Sequence, residues 1–386
     1  MGRDSFTVYT AFLLAACGRT GLMPVAGTAD AAGNAGVNAG GTTGTGGAIA
    51  SGTGARPGAG GTTGTGGAIA SGTGARPGAG GSMVGGGGVS GSSGAAQTVI
   101  EFPIPTRNST PYDIVAGPDG NLWFTEYDGN NIGRITTEGV ITEFPVPTAQ
   151  SQLGSIVAGP DGNLWFTEFH GDHIGRITTA GVVTEFRAPS GPSSMPCGIV
   201  VGPDGNLWFT EYDGTYIGRI TTAGEITEFP VSFAPYGITS GPDGNLWFTG
   251  NWNNVSSIGR ITTDGVISKF PVPAAIGDPA MITLGPDLNF WFTDDINANI
   301  GRLTTTGDIT VFPIATGVWS LLANPDGELW FTGQRVPGIG RLTTAGEVLQ
   351  APAAVKGSCP GYMAVGSDGN LWYTDQCGNK IGRMIL

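Results

Sequence analysis

A nine-residue motif, GPDGNLWFT, occurs seven times in the sequence, four times intact and three times as GPDLNFWFT, NPDGELWFT and GSDGNLWYT. An Ile-Gly-Arg tripeptide follows every copy. Neighbouring copies are 39 to 44 residues apart, as measured between their tryptophans Trp123, Trp165, Trp208, Trp247, Trp291, Trp330 and Trp372. A fixed period near forty residues with several short strands per unit is typical of a β-propeller. The sequence therefore predicts an all-β, seven-bladed β-propeller with four antiparallel strands in each blade.

The second repeat illustrates how turn residues divide one unit into strands. Asp161-Gly162 separates two apolar segments, and Asp-Gly is a strong hairpin signal because glycine tolerates a positive φ. The run LWF is apolar at every position, which is typical of a strand covered on both faces. The predicted strands of this blade are Ser155–Ala158, Asn163–Glu168, His173–Thr179 and Val182–Phe186.

The two ends of the repeat region complement each other. The seventh unit ends with its third strand, at 381–386, and the segment 99–105 (VIEFPIP) matches the fourth-strand pattern ITEFPVP. We therefore expect residues 99–105 to complete blade 7 and close the ring. Without this strand two sheet edges would stay open, and open edges promote aggregation.

Residues that every repeat shares are expected to build the scaffold. The seven tryptophans are predicted to pack between blades, with a ring that stacks on a ligand as the alternative. The seven arginines are predicted to pair with neighbouring acidic groups. A binding site is therefore expected at positions where the repeats differ.

The N-terminal region carries signals for export. Met1–Cys17 combines a basic residue with a short apolar stretch and ends in LAAC, which resembles the lipobox of bacterial lipoproteins. We predict a signal peptide over 1–17 with lipidation of Cys17; an ordinary signal peptide and a start-site artefact are the alternatives. The segment 18–98 is rich in glycine and contains a duplicated 20-residue stretch, which predicts a disordered linker.

Charge excludes two classes of partner for the repeat region. Residues 99–386 contain 28 acidic and 13 basic residues, a formal charge of −15, whereas binding to a phosphate backbone depends on clustered Lys and Arg. Nucleic acids and anionic membrane surfaces are therefore not expected as partners, and no apolar run reaches the ~20 residues that span a bilayer. We expect an exported monomer, periplasmic or on the cell surface, that contacts a bacterial membrane through its lipid anchor.

Two sets of variable positions are predicted to share one face of the ring, because antiparallel order returns the chain to the same end of each blade. The position after the lead-in proline of the first strand contributes Tyr112, Cys197, Tyr236 and Trp319. The position after the WFT or WYT triplet contributes Glu126, Glu168, Glu211, Asp294 and Asp375. Together they predict a shallow pocket with apolar walls and hydrogen-bond acceptors, for a small molecule, a glycan or a protein. A solvated acidic rim without a ligand is the alternative.

The cysteines of the repeat region fall into two groups. Cys359 and Cys377 lie symmetrically about Asp368, the turn of the last hairpin, and are predicted to form a disulfide in an exported chain. Cys197 remains, as a buried or rim thiol or, alternatively, as a nucleophile.

The only two histidines, His170 and His173, share a loop of blade 2 with Glu168 and Asp172. Such a set could ligate a metal, but a loop that exposes two histidines is the commoner case. We therefore assign no metal site to this loop.

The repeats resemble those of the virginiamycin B lyase family of seven-bladed propellers over the whole of 99–386. The resemblance rests on the units WFTE, IGRITTAG and ITEFPVP. It implies a Mg²⁺-dependent elimination that opens the cyclic depsipeptide of type B streptogramin antibiotics by removing an α-proton and expelling the ester oxygen. The resemblance also implies that a histidine after the lead-in proline in each of the last two blades, and two glutamates of the final blade, carry this activity.

This sequence departs from the family at those four positions. The histidine positions hold Trp319 and Gly361, and the glutamate positions hold Cys359 and Gln376. Only Tyr112 of the first blade is retained. Because removal of an α-proton needs a positioned base, we expect a protein that binds a ligand or partner, with no catalytic residue assigned. The alternative is an enzyme, either a lyase that uses Mg²⁺ and a relocated base such as His170 or His173, or another activity on the same face.

Overall fold

The computed structural model describes residues 98–386, with the exception of 253–254, 315, 325, 334–336 and 354–356. The predicted signal peptide, the predicted lipidation site Cys17 and all but the last residue of the predicted linker therefore lie outside the described residues. Within the described part of the chain the regular elements are all strands. None of these residues forms a helix with the length and hydropathy needed to cross a bilayer.

Twenty-eight strands form seven four-stranded antiparallel sheets, so the predicted seven-bladed propeller is confirmed. Blades 1 to 3 comprise β2 (Pro111–Ala116), β3 (Leu122–Glu126), β4 (Asn131–Ile135), β5 (Ile141–Pro145), β6 (Leu153–Ala158), β7 (Leu164–Glu168), β8 (His173–Ile177), β9 (Val183–Arg187), β10 (Pro196–Val201), β11 (Leu207–Glu211), β12 (Tyr216–Ile220) and β13 (Ile226–Pro230). Blades 4 to 6 comprise β14 (Ala234–Ser240), β15 (Leu246–Trp252), β16 (Val255–Ile261), β17 (Ile267–Pro271), β18 (Pro279–Leu284), β19 (Phe290–Asp294), β20 (Asn299–Leu303), β21 (Ile309–Pro313), β22 (Val318–Ala323), β23 (Glu328–Gly333), β24 (Ile339–Thr343) and β25 (Val348–Ala353). Blade 7 comprises β26 (Pro360–Val365), β27 (Leu371–Asp375), β28 (Lys380–Met384) and β1 (Val99–Pro103).

The strand boundaries of blade 2 differ from the predicted ones by one or two residues. The first strand begins at Leu153 because Leu153 already pairs with Glu168. The third strand ends at Ile177 because the carbonyl of Thr178 accepts the turn hydrogen bond from Gly181, at 2.8 Å. Every residue of the second strand is buried, as the continuous apolar run LWF predicted.

The first strand of the chain closes the ring, as the sequence predicted. β1 pairs antiparallel with β28, from Val99 opposite Met384 to Pro103 opposite Lys380. Phe102 stacks on Trp372 of the same blade, with ring centroids 5.5 Å apart. Because β1 and β28 pair with each other, the edge of β28 that faces β1 is not left open.

The tryptophans of the second strands pack between blades, so the alternative of a ligand-stacking ring is wrong. All seven are at most 2% exposed. Trp123 of blade 1, for example, lies in one apolar cluster with Leu153, Ile156 and Phe166 of blade 2. Its indole N–H donates to Asp119 Oδ1 in the preceding turn, at 3.0 Å. The Asp-Gly turn therefore both reverses the chain and satisfies a buried donor.

The arginines of the Ile-Gly-Arg triplets are held differently from the prediction. Arg176 lies over the rings of Trp165 and Phe186, 5.5 Å from each centroid, and donates to the carbonyl of Thr222 in the next blade, at 3.0 Å. The same bond to the next blade is made by Arg134, Arg219, Arg302 and Arg383. An acidic partner is found for Arg341, with Glu328, and for Arg383, with Asp368. For Arg134, Arg176, Arg219 and Arg302 that prediction is wrong, because a turn carbonyl of the neighbouring blade faces the guanidinium. Arg260 instead donates to Ser268 Oγ in its own blade, at 3.4 Å.

The threonines of the WFT triplets connect the first strands around the central axis. Thr167 Oγ1 accepts the N–H of Ser155 in its own blade, at 3.0 Å, and donates to the carbonyl of Cys197 in blade 3, at 2.8 Å. Equivalent bonds to the next blade are made by Thr125, Thr210 and Thr374. These buried bonds fix the first strands against one another close to the loops at one end of the axis.

Ring closure by β1 predicts the effect of truncating Phe102. Phe102→Ala should lower the free energy of unfolding by about 2 kcal/mol or more, because it removes a ring packed between Trp372 and the turn at Gly139. Phe144→Ala is the matched control, since Phe144 makes the same stack on Trp123 in blade 1. Urea unfolding curves of both variants should show similar losses. A neutral Phe102→Ala beside a destabilising Phe144→Ala would mean that β1 does not close the ring.

Candidate functional site

One face of the ring is built from two kinds of loop, and we call it the loop face. It contains the segments that enter each first strand and the loops between second and third strands. In blade 1 the two are joined by hydrogen bonds from the N–H groups of Tyr127 and Asp128 to the carbonyls of Thr110 and Ser109, each 3.1 Å long. The opposite face carries the Asp-Gly turns and the turns between third and fourth strands.

The aromatic candidates of the loop face are brought together around the axis, but they contact one another rather than solvent. Tyr112, Tyr236 and Trp319 are 2%, 3% and 5% exposed. Tyr112 hydrogen-bonds Tyr236 and lies 4.9 Å from the ring of Tyr362, and the hydroxyls of Tyr362 and Tyr112 are 3.2 Å apart. Trp319 meets Tyr362 edge-on at 6.2 Å. The four rings form an aromatic cluster across the axis where the sequence predicted an open pocket.

Tyr362 is the member of this aromatic cluster that sequence reasoning missed. It lies one position after Gly361, and only the position directly after the lead-in proline was considered. The next position along the first strand also varies widely between repeats, as Asp113, Ser155, Gly198, Gly237, Met281, Ser320 and Tyr362. That variation was the signal available in the sequence.

The carboxylates that follow the WFT triplets are buried beneath the loops. Glu126, Glu168 and Glu211 are all 0% exposed, so a solvated acidic rim is not what they form. Glu126 Oε2 accepts from Asn131 Nδ2 at 3.2 Å, and Glu211 Oε2 accepts from Ser190 Oγ at 2.6 Å. The predicted pocket of aromatic walls and acceptors is therefore wrong, because these carboxylates lie under the blade-entry loops and outside the aromatic cluster.

Each of these three glutamates has a second glutamate beside it on the fourth strand of its blade. The partners of Glu126, Glu168 and Glu211 are Glu143, Glu185 and Glu228. Burial is the main cause that raises the pKa of each inner carboxyl to about 8, and the neighbouring glutamate raises it further. Each inner carboxyl is therefore protonated at neutral pH.

Blades 5 and 7 replace the glutamate with an aspartate that binds backbone instead. Asp294 accepts the N–H groups of Gly277 and Asp278, both at 3.0 Å. Asp375 Oδ1 accepts the N–H groups of Cys359 and Gly378, at 2.8 and 3.0 Å. By accepting these backbone N–H groups, both aspartates hold the loops in position, which is a structural role.

A serine in the entry loop of blades 1 to 3 is held by the preceding blade. Ser151 donates both its N–H and its hydroxyl to Asn130 Oδ1, each at 2.9 Å. Ser109 makes the same pair of bonds with Asn379, and Ser194 with Asp172. Neighbouring non-glycine residues, such as Gln150 and Gln152, have φ near 55°, a conformation that persists only when the surroundings enforce it. These serines were not predicted, and their recurrence two residues before the first strand was the available signal.

The histidine loop of blade 2 does not assemble a metal site. His170 is exposed and stacks on Phe169 at 5.1 Å, whereas His173 begins β8 opposite Glu168, with Nδ1 buried and without a hydrogen-bond partner. Among the described residues no group of three or more His, Cys, Asp or Glu side chains could hold a metal ion.

Cys359 and Cys377 form a disulfide with a Cα–Cα distance of 5.3 Å. Cys197 is 5% exposed and packs with Phe169, Tyr236 and Ala280 in one apolar cluster.

The positions at which the family resemblance implies histidine and glutamate lie on blades 6 and 7. A Cβ on Gly361 would lie 3.6 Å from Gln376 Nε2. Trp319 of blade 6 contacts Tyr362 of blade 7. Its indole N–H is buried and has no acceptor among the described residues, although buried indole N–H groups usually have one.

Comparisons with known proteins agree with this fold. The model of the virginiamycin B lyase family matches residues 91–234 and 234–386. A solved structure described as streptogramin B lyase is 35% identical, with a TM-score of 0.70, and the match covers 75% of this chain and 98% of that one. Selenomethionine-substituted virginiamycin B lyase from Staphylococcus aureus is 37% identical, with a TM-score of 0.70 and coverage of 75% and 100%. A catalytically inactive histidine-to-alanine variant of that enzyme, with quinupristin, is 36% identical, with the same TM-score and coverage.

The three inner glutamates predict that stability falls as pH rises. Their folded-state pKa of about 8 lies above the ordinary 4.5. Their contribution to the free energy of unfolding is therefore complete below pH 4.5 and is lost as pH rises through 8. Denaturant unfolding between pH 5 and 9 should show the free energy of unfolding falling by at least about 1 kcal/mol per pH unit near neutrality. The variant Glu126→Gln/Glu168→Gln/Glu211→Gln should flatten this dependence, whereas Glu225→Gln, in an exposed turn, should not. An equal slope in all three proteins would contradict the assignment.

Proposed function

Because this chain belongs to the virginiamycin B lyase family, we propose that it uses the family's propeller to bind an amide- or ester-containing ligand at the loop face, without opening it by elimination. The ligand class follows from the donor that the face presents. The indole N–H of Trp319 is buried without an acceptor, and a ligand carbonyl would supply one. This unpaired donor, at a position where the family resemblance implies histidine, carries the proposal.

The side chains around Trp319 support binding over elimination. An α-proton has a pKa far above neutrality, so its removal needs a base within hydrogen-bond reach. Trp319 and Gly361 offer no basic atom, and Gln376 is a neutral amide. His170 and His173 belong to blade 2, which does not adjoin blade 6 or blade 7.

The residues present also do not fit the Mg²⁺ that the resemblance implies. Mg²⁺ prefers carboxylate oxygens in octahedral arrangement. Of the two implied ligand positions, Cys359 has its sulfur in a disulfide and Gln376 offers a single amide oxygen. No metal-binding group of three or more His, Cys, Asp or Glu occurs in the described ranges of the chain.

We further propose that the protein is exported and lipid-anchored through Cys17. The support is the LAAC sequence at the end of the apolar N-terminal stretch and the glycine-rich segment that follows it. The disulfide between Cys359 and Cys377 is consistent with an oxidising compartment.

Quinupristin tests the binding proposal directly. The full chain is incubated with quinupristin and Mg²⁺, the product is followed by reversed-phase chromatography, and ligand binding is measured as a rise in Tm. We expect a Tm increase and no linear product, while virginiamycin B lyase from Staphylococcus aureus converts the same sample. Accumulation of the linear product would replace the binding proposal with a lyase.

Trp319→Phe separates the role of the indole N–H from that of the ring. It should weaken quinupristin binding about five- to tenfold, the effect of one lost hydrogen bond. Trp330→Phe is the matched control, because Trp330 is also buried with an unpaired N–H but lies between blades 6 and 7. Equal effects of the two substitutions, or no Tm increase in the wild type, would contradict the proposed contact.

Lipid anchoring predicts that Cys17 determines membrane association. In a bacterial host, the full chain should fractionate with membranes and incorporate labelled palmitate. Cys17→Ala should release it from the membrane fraction and abolish labelling, because the acyl chain is the only proposed membrane contact. Unlabelled wild-type protein, or membrane association that survives the substitution, would contradict the anchor.

A further inference from the structure

A cavity of about 170 Å³ lies on the propeller axis, lined by residues from the first strands of all seven blades. Tyr362 lines this axial cavity and also belongs to the aromatic cluster, through its hydroxyl contact with Tyr112. The cavity therefore lies beneath the loop face and shares Tyr362 with the aromatic cluster.

The lining of the axial cavity is mostly polar on one side and mostly apolar on the other. The mostly polar side, contributed by adjacent blades 6, 7, 1 and 2, carries Ser320, Tyr362, Asp113 and Ser155, together with Leu321. The mostly apolar side, contributed by blades 3, 4 and 5, carries Ile199, Ile238, Met281 and Ile282, together with Gly198 and Thr283. An occupant matched to this lining has one polar end and one apolar end.

Asp113 is the only charged residue among those that line the axial cavity. Its Oδ1 accepts the N–H of Ile114 at 2.8 Å and its Oδ2 accepts the N–H of Ile156 at 3.0 Å, with the Ser155 side chain as a further donor. Burial raises the pKa of this carboxyl to about 7. No lysine, arginine or histidine lines the cavity to neutralise it, although buried charges in proteins are normally paired.

We propose that the axial cavity binds a small alkylammonium ion, with the ammonium group on Asp113 and the alkyl group against the isoleucines. An ammonium can donate to the carboxylate and to the hydroxyls of Ser155 and Ser320, and charge-assisted bonds of this kind are strong. A volume of about 170 Å³ accommodates about six non-hydrogen atoms, taking ~30 Å³ for a water-sized group. The mostly apolar side offers a bare metal ion only the Thr283 hydroxyl as an oxygen ligand, and the single carboxylate disfavours an anion.

Isothermal titration of the full chain with n-butylammonium in sodium phosphate at pH 8 tests this proposal. We expect saturable binding, no binding of butan-1-ol, and a Kd at least about tenfold higher in Asp113→Asn. Asp264→Asn, which removes an exposed carboxylate from an outer turn, should leave the Kd unchanged. Absence of butylammonium binding, or equal binding by Asp113→Asn, would overturn the proposal.

A tethered ammonium provides a second test that does not depend on the stability of Asp113→Asn. Met281 lines the axial cavity with its sulfur 3.0 Å from the Tyr362 hydroxyl, so Met281→Lys places an ammonium inside the cavity on a side chain of similar length. This variant should lose butylammonium binding. Adding Asp113→Asn to it should lower the Tm by more than Asp113→Asn does in the wild type. Retained binding, or equal Tm losses, would count against an ammonium site.

Discussion

The packing of one buried tryptophan per blade against the next blade is the interaction on which the propeller depends. In most blades each ring stacks on a fourth-strand phenylalanine, a guanidinium lies over both rings, and the aspartate of the preceding turn accepts the indole N–H. A single sheet of four strands cannot bury both faces by itself, so each blade needs its two neighbours. Two hydrogen bonds to the next blade accompany this apolar contact, one from the arginine to a turn carbonyl and one from the threonine to a carbonyl of the first strand. Because hydrogen bonds are directional, they also fix the orientation of neighbouring blades.

The packing between blades determines which positions can differ in sequence from one blade to the next. Residues between blades are fixed by packing on two sides, whereas the first strands near the axis and the loop face contact different partners in each blade. Blades 1 to 3 retain the serine contact, the buried glutamate and the second glutamate. In blade 4 the glutamate positions hold Gly250 and Lys269 instead. The ring is therefore symmetric in its scaffold and asymmetric on its loop face, with Trp319 of blade 6 on the less regular side.

Sequence reasoning predicted the scaffold well because its determinants are local and repeated. The Asp-Gly turns, the apolar LWF runs and the match of 99–105 to a fourth strand each identify an element without knowledge of its neighbours. The site was predicted less well because it depends on contacts between blades. The position of Glu126 after WFT places it at the loop end of a strand, but does not reveal that the entry loop containing Ser109 covers it. Likewise, Tyr112, Tyr236 and Trp319 were placed on one face, but Tyr362, which joins them into a cluster, belongs to the neighbouring position in the strand.

The pairing of β1 with β28 has a consequence for how the chain reaches its native state. Val99 and Met384 lie at opposite ends of the described chain, so blade 7 contains the longest-range contacts of the propeller. Blades 1 to 6 are each contiguous in sequence and can assemble as the ribosome delivers them, whereas β1 has no partner until β28 emerges. Closing so large a loop carries the greatest entropic cost in the fold, and the emergence of β28 therefore decides when the ring can become complete.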